Sequence, residues 1–231
     1  MKCVMKMSWI LLAILALVLT SSATAAGLVA MNDLVANHAL GISSTELFDK
    51  PNDARLADAV GTGELKLAQE LIDRGAEVDA NGRQGMTPLL WALGKRNIEG
   101  FRFLLDHGAD ANAVTCCDEK AEGEAHKLSA MDLAARVERP DYLQALLEHG
   151  GNPNLIVNEA GETPIFSTLL NSRIENAKLL IKAGADLNRQ QQRSHMTPIA
   201  LAAGETEYAM ALLLFQSGAD PTIKNRWGYG V

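Results

Sequence analysis

The apolar positions of this chain fall into short runs at helical spacing, paired, with polar or glycine-containing breaks between them. Residues Met86–Ala113 show the unit most clearly. Thr87 is an N-cap residue, and Pro88 suits the first helical position because its φ is fixed and its missing N–H would have had no partner there. Leu89, Leu90, Trp91, Ala92 and Leu93 give that helix an apolar body, and Gly94 to Asn97 interrupt it. Ile98, Phe101, Leu104 and Leu105 then recur at three- and four-residue intervals, which predicts a second, antiparallel helix. Gly108 stands where a chain leaving a helix commonly needs φ > 0, and Ala109 to Asn112 lead into a turn.

The same marks return along the chain. Gly75, Gly108, Gly150, Gly184 and Gly218 each open a Gly-Ala-Asp-like exit and lie 33, 42, 34 and 34 residues apart. Helix starts keep step with them at Thr87-Pro88, Ser129-Ala130, Thr163-Pro164 and Thr197-Pro198. A period near 33 with a Thr-Pro start and a Gly-Ala-Asp exit resembles the ankyrin repeat. The resemblance covers roughly residues 53–231 and implies an all-α solenoid of helix-turn-helix units joined by β-hairpin loops. It departs from the usual pattern at the third helical position, where a His is common and Leu90, Asp132, Phe166 and Ala200 stand instead. The repeat boundaries fall at about 53–83, 84–113, 114–156, 157–189 and 190–223, with a partial sixth unit at 224–231. The first pair, Asp53–Val60 and Glu64–Ile72, lacks the Thr-Pro start and reads as a degenerate repeat.

Residues outside the period add three features. Lys2 and Lys6 precede the apolar run Ile10–Leu19, and Ala23-Thr24-Ala25 follows, so residues 1–26 read as a signal peptide cleaved near Ala25 or Ala26. The run is far shorter than the roughly 20 residues that span a membrane. None of the Asn residues stands in an Asn-X-Ser/Thr acceptor, which favours a bacterial periplasm, whereas a start at Met31 would leave a cytosolic form. Residues 27–52 read as an N-terminal capping segment, with a short amphipathic helix through Leu28, Met31, Leu34 and Val35. The 42-residue spacing places about nine extra residues within Val114–Lys127, a polar, acidic insertion at a hairpin. It carries Cys116 and Cys117, which in an oxidising compartment can close a vicinal disulfide, remain thiols, or join Asp118 and His126 around a metal ion. Adjacent Cys match a tetrahedral metal site poorly, so no metal is expected there.

Charge and missing motifs narrow the function. The formal charge is −7, and loss of Lys2 and Lys6 with the leader takes it to −9, which disfavours nucleic acid and anionic lipid as partners. No nucleophile elbow, phosphate loop, zinc-protease helix or paired Cys-X-X-Cys appears, so neither catalysis nor a cofactor is expected. His107 and His149 each precede the Gly that ends a helix, where a His stabilises the helix C-terminus. Asp132, inside a helix, is expected to bond locally.

The ankyrin resemblance implies a protein partner held on hairpin tips and inner helices. Mapped repeat by repeat, those positions are Arg83, Gln84, Met86 and Lys95, then His126 and Arg136, then Glu159, Glu162 and Asn171. Arg193, Met196 and Glu205 follow, and Arg226, Trp227 and Tyr229 close the set. Met86, Met196, Trp227 and Tyr229 are the expected anchors, each with the alternative of packing within the fold. Lys224–Val231 matches the hairpin that opens another repeat, so Trp227 and Tyr229 either fold over the apolar end of the fifth unit, meet a partner, or belong to a shortened or truncated cap. In layout the chain is similar to exported bacterial ankyrin proteins that act as immunity proteins against lipase-like type VI secretion toxins, which is the leading expectation. A periplasmic scaffold supporting a stress-response enzyme is the alternative.

Overall fold

The computed structural model describes residues 43–114, 129–156, 158 and 160–231. The expected leader, the 28–40 helix, and the insertion with Cys116, Cys117 and His126 lie outside the described residues, as does Glu159. The chain divides after Ala109 into two compact units.

The first unit opens with a single turn, α1 (Ser44–Leu47), followed by the helix pair α2 (Pro51–Thr62) and α3 (Leu65–Asp73), then α4 (Pro88–Gly94) and α5 (Ile98–Asp106). The first pair begins at Pro51, two residues before the sequence boundary, because Pro51 itself occupies the first helical position. Leu56, Val60, Leu71, Leu89, Phe101 and Leu104 are fully enclosed, so the two pairs share one apolar seam. At that seam α5 comes so close to the end of α2 that a Cβ on Gly100 would lie 1.9 Å from the Val60 carbonyl oxygen. Asn97 caps α5 through the Gly100 N–H (2.8 Å) and reaches the Gly61 carbonyl of α2 with its amide (3.5 Å).

The second unit repeats the arrangement three times: α6 (Ala130–Arg136) with α7 (Pro140–Glu148), α8 (Pro164–Ser167) with α9 (Ile174–Lys182), and α10 (Pro198–Gly204) with α11 (Tyr208–Gln216). Ser129 and Thr197 cap their helices through the N–H of Asp132 (3.0 Å) and Ala200 (3.4 Å), as Thr87 does through Leu90 (3.2 Å). Thr163 is the exception. Its hydroxyl has no hydrogen-bond partner, and α8 gives way after one turn to a 3₁₀ turn over Leu169–Asn171.

Each helix exit carries the same closure. Gly75, Gly108, Gly150, Gly184 and Gly218 all have φ between 81° and 99°, with nothing near the absent Cβ, so the backbone conformation alone requires glycine. The next N–H then donates to a carbonyl five residues back: Ala76 to Leu71, Ala109 to Leu104, Gly151 to Leu146, Ala185 to Leu180 and Ala219 to Leu214. The Nδ1 atoms of His107 and His149 donate to the carbonyls of Phe103 (2.7 Å) and Ala145 (2.8 Å), the C-terminal role expected of them.

Neighbouring repeats of the second unit are held in register by amides. Asn112 donates to the Gly150 carbonyl (3.3 Å) and accepts the Asn152 N–H (2.7 Å). Asn154 does the same to Gly184 (3.0 Å) and Asp186 (2.7 Å), and Asn188 accepts the Asp220 N–H (2.8 Å). Thr222 stands next in this series. Its hydroxyl and N–H turn back onto Asp220, holding that carboxyl below its usual range. Behind the ladder, the buried Asn176 amide reaches the carbonyls of Ala134, Ala135 and Val137, and the Arg173 Nε donates to Arg136, so one helix pair satisfies the orphan carbonyls of the pair before it.

Asp132 is buried, and it does more than bond locally. One carboxylate oxygen accepts the Ser167 hydroxyl from the next repeat, and the other pairs with Arg136 at 3.0 Å. Among the described residues the loops between helix pairs form no strand, and a single bridge joins Val114 to Ser129.

Two outcomes test this packing. Gly100→Ala would gain about 1 kcal/mol from helix propensity alone, yet the clash with Val60 predicts a net loss of about 2–3 kcal/mol, read by urea unfolding; a stabilised variant contradicts the seam. Asn154→Ala removes two inter-repeat bonds and is expected to cost about 1–2 kcal/mol in the same assay.

Candidate partner-binding tips

The hairpin tips of the second unit are stitched to one another. Gln192 donates its N–H to the Ala160 carbonyl (2.8 Å), and Arg226 donates to Ser194 (3.0 Å), the same step one repeat on. Gln191 reaches back to Glu162 through its side-chain amide, and Gln190 donates to the carbonyls of His195 (2.6 Å) and Lys224 (2.9 Å). The last tip is folded by Asn225, whose side-chain oxygen accepts from Trp227 (3.0 Å) and Tyr229 (3.1 Å), while its own N–H donates to the Tyr229 carbonyl (2.8 Å). Side chains on these tips are therefore carried by a hydrogen-bonded frame.

What the frame displays is basic and aromatic. Trp227 is 62% and Tyr229 71% exposed, so they do not fold over the apolar end of the fifth unit. Arg193, His195, Lys224 and Arg226 are exposed beside them, and the Arg226 guanidinium lies 3.4 Å from the Arg193 carbonyl. His195 has φ = 55°, an uncommon backbone for a side chain other than glycine. Met196 is half-buried and Glu205 exposed.

Other expected positions are spent on the fold. Met86 is 6% exposed, and its carbonyl closes the Gly82 turn, so it is a packing residue and not an exposed anchor. Arg136 is withdrawn against Asp132, with 13% of its side chain accessible; the four-residue spacing between the two was the available signal for that pairing. Glu162 is half-buried and accepts from Asn158 and Gln191, which makes it a strut between tips. In the first unit Lys95 lies over the Trp91 ring at 4.8 Å, and Arg83 is exposed, 3.3 Å from the Asp49 carboxylate. Gln84 sits in the 3₁₀ turn Arg83–Gly85 and Asn171 ends the one at Leu169–Asn171.

Among the described residues no group of three or more His, Cys, Asp or Glu side chains is arranged to hold a metal ion, and no helix is long and apolar enough to cross a membrane. The tips thus offer directional hydrogen bonds, cations and aromatic faces, which are means of recognition.

The family described as ankyrin repeats (3 copies) matches residues 28–115 and 131–225. A protein of Mus musculus named ankyrin repeat, SAM and basic leucine zipper domain-containing protein 1 is 48% identical over 54 residues, which cover 23% of this chain and 11% of that protein. The protein of the same name from Neofelis nebulosa is 39% identical over 74 residues, 29% of this chain and 16% of that protein. The chain thus aligns with under a fifth of the length of these relatives, and the likeness is to repeat units. With helix pairs, glycine exits and inter-repeat ladder in place and the family matched over most of its length, the chain belongs to the ankyrin-repeat family.

Proposed function

We propose that this chain is an exported protein-binding module whose contact surface is the stitched tips from Gln190 to Met196 and from Lys224 to Tyr229, and that it serves as an immunity protein, neutralising a lipase-like type VI secretion effector by covering it. The observation that carries the binding surface is the exposure of Trp227 and Tyr229 beside Arg193 and Arg226 on a hydrogen-bonded frame. Aromatic rings and arginines dominate interface energies, and a frame that is already ordered loses little entropy on binding. Ankyrin repeats bind proteins, and a rigid, many-armed surface suits blocking the mouth of a hydrolase more than turning over a substrate. The immunity assignment rests on the likeness in layout to exported bacterial immunity proteins, together with the signal peptide read at residues 1–26.

The test is capture from periplasmic extract on the immobilised mature chain, with mass spectrometry of the retained proteins, followed by co-expression with the toxin-like hydrolase encoded nearest the gene. Retention of that hydrolase and protection of the cells from it are expected. Trp227→Ala combined with Arg226→Glu should weaken the captured complex by at least about 30-fold, the size of a hot-spot loss near 2 kcal/mol. Capture of a housekeeping enzyme with no protection would replace immunity by a scaffold role, and binding that ignores both substitutions would move the surface off these tips.

A further inference from the structure

Two segments of the second unit run against the charge of the chain. The sequence holds 28 acidic residues against 21 basic ones, yet no Asp or Glu falls between Asp186 and Glu205 or within 221–231. Those segments carry Arg189, Arg193, Lys224 and Arg226, and they form the two tips that are stitched together. The Gln190 amide donates to the carbonyls of both His195 and Lys224, and Arg226 donates to those of Ser194 and Arg193, so these side chains leave neighbouring stretches of backbone. The bordering acids are engaged, Glu162 by Asn158 and Gln191, and Asp220 by Thr222. Arg193 and His195 remain exposed with the following tip bonded to theirs, and Arg226 holds the place of Arg193 one repeat on.

The backbone of His195 is a second, independent observation. This residue stands where the aligned tips have Gly85, Gly161 and Gly228, and its φ of 55° shares their left-handed region, at 70°, 70° and 84°. Glycine adopts that conformation freely, whereas a side chain there is strained. The imidazole is exposed and makes no hydrogen bond among the described residues, so the fold gains nothing from it. Strain kept at an exposed position on a braced loop points to a contact made outside the chain.

We infer that Arg193, His195, Lys224 and Arg226 seat an acidic segment of the partner protein, a loop or chain end rich in Asp and Glu, with the His195 ring donating to one of its carboxylates. This rests on the reading of the tips as the contact surface and adds the chemistry of what they hold. Imidazole carries an N–H donor whether charged or neutral, and Arg and Lys give charge-assisted bonds to carboxylates. The net charge of −7 repels the same ligand elsewhere, which confines it to this edge. A long polyanion such as nucleic acid extends beyond two tips and meets that repulsion, whereas a segment of a few residues does not.

Amide shift mapping of the isotope-labelled mature chain tests this, with an acetylated octapeptide of alternating Glu and Asp as probe and its Gln and Asn counterpart as control. At about 0.05 M salt the acidic peptide alone should shift Ser194, His195 and Arg226 with a Kd below about 1 mM, and binding should weaken at least about 5-fold at about 0.3 M. Lys224→Glu combined with Arg226→Glu should abolish it. His195→Gly should weaken it about 3-fold or more while the thermal unfolding midpoint stays at or above that of the wild type, an outcome that a structural role would not give. No shifts, shifts matched by the neutral peptide, shifts away from these tips, or undiminished binding by His195→Gly overturn the inference. So does an oligothymidylate of the same length that binds more tightly. Capture of a partner that depends on Trp227 and Arg226, with no peptide bound at the tips, overturns the acidic class alone. Peptide bound at the tips with capture indifferent to them overturns the contact-surface reading and this inference with it.

Discussion

A pair of short antiparallel helices cannot bury its own apolar face, and this molecule depends on how one pair is held against the next. Isolated helices of four to twelve residues are marginal in water, so each is stabilised by what covers it and not by its own propensity. Covering brings backbone against backbone, and the chain meets that approach with different chemistry at one aligned position. Gly100 lets α5 touch the Val60 carbonyl of α2, while Asn176 places an amide against three carbonyls at the end of α6. Asn176 supplies donors to the C-terminal carbonyls of a short helix that would otherwise be buried without partners, whereas Gly100 permits the close approach by leaving no side chain in the way.

The seam also explains which polar residues are removed from the surface. Arg136 reads as an inner-helix binding position in the sequence and Asp132 as bonding locally, yet the two form an enclosed ion pair, and Ser167 of the following repeat bonds the same carboxylate. A half-satisfied group there would be costly, and breaking such a pair from one side is typically worth about 3–5 kcal/mol. Asn112, Asn154 and Asn188 carry the same logic to the loop side, each using a single amide as donor and acceptor between consecutive turns. The register of the second unit is thus set by directional bonds, while its stability comes from the apolar positions between them.

Legibility in the sequence follows this division. The repeat period, the helix starts at Thr87, Ser129 and Thr197, and the glycine exits were readable because each is a local backbone requirement with a residue type attached. The burial of Met86 and of Arg136 was not, because both depend on which neighbour arrives, and a tip or inner-helix position is exposed or covered only once the adjacent repeat is placed. Trp227 and Tyr229 are exposed where the sequence left packing open, since the Asn225 turn that holds them outward is formed by one side-chain oxygen accepting two backbone donors. The uncharged outer side of α11 was present in the sequence as well. It becomes visible only when the five aligned second helices of Gly75-to-Gly218 periodicity are compared position by position and Leu212 is found among Gln69, Arg102, Gln144 and Lys178.

Tips and second helices of the second unit answer to different constraints. The tips are braced by bonds from Gln190, Gln191 and Arg226 to the neighbouring loops, so a change in the side chains they display costs the frame little. The outer helices are braced only by their inner sides, and their solvent faces are free to be charged, as at Lys178, or apolar, as at Leu212. Charged side chains that could give an electrostatic address are therefore displayed on the tips, at Arg193 and Arg226, whereas the exposed side of α11 displays apolar surface.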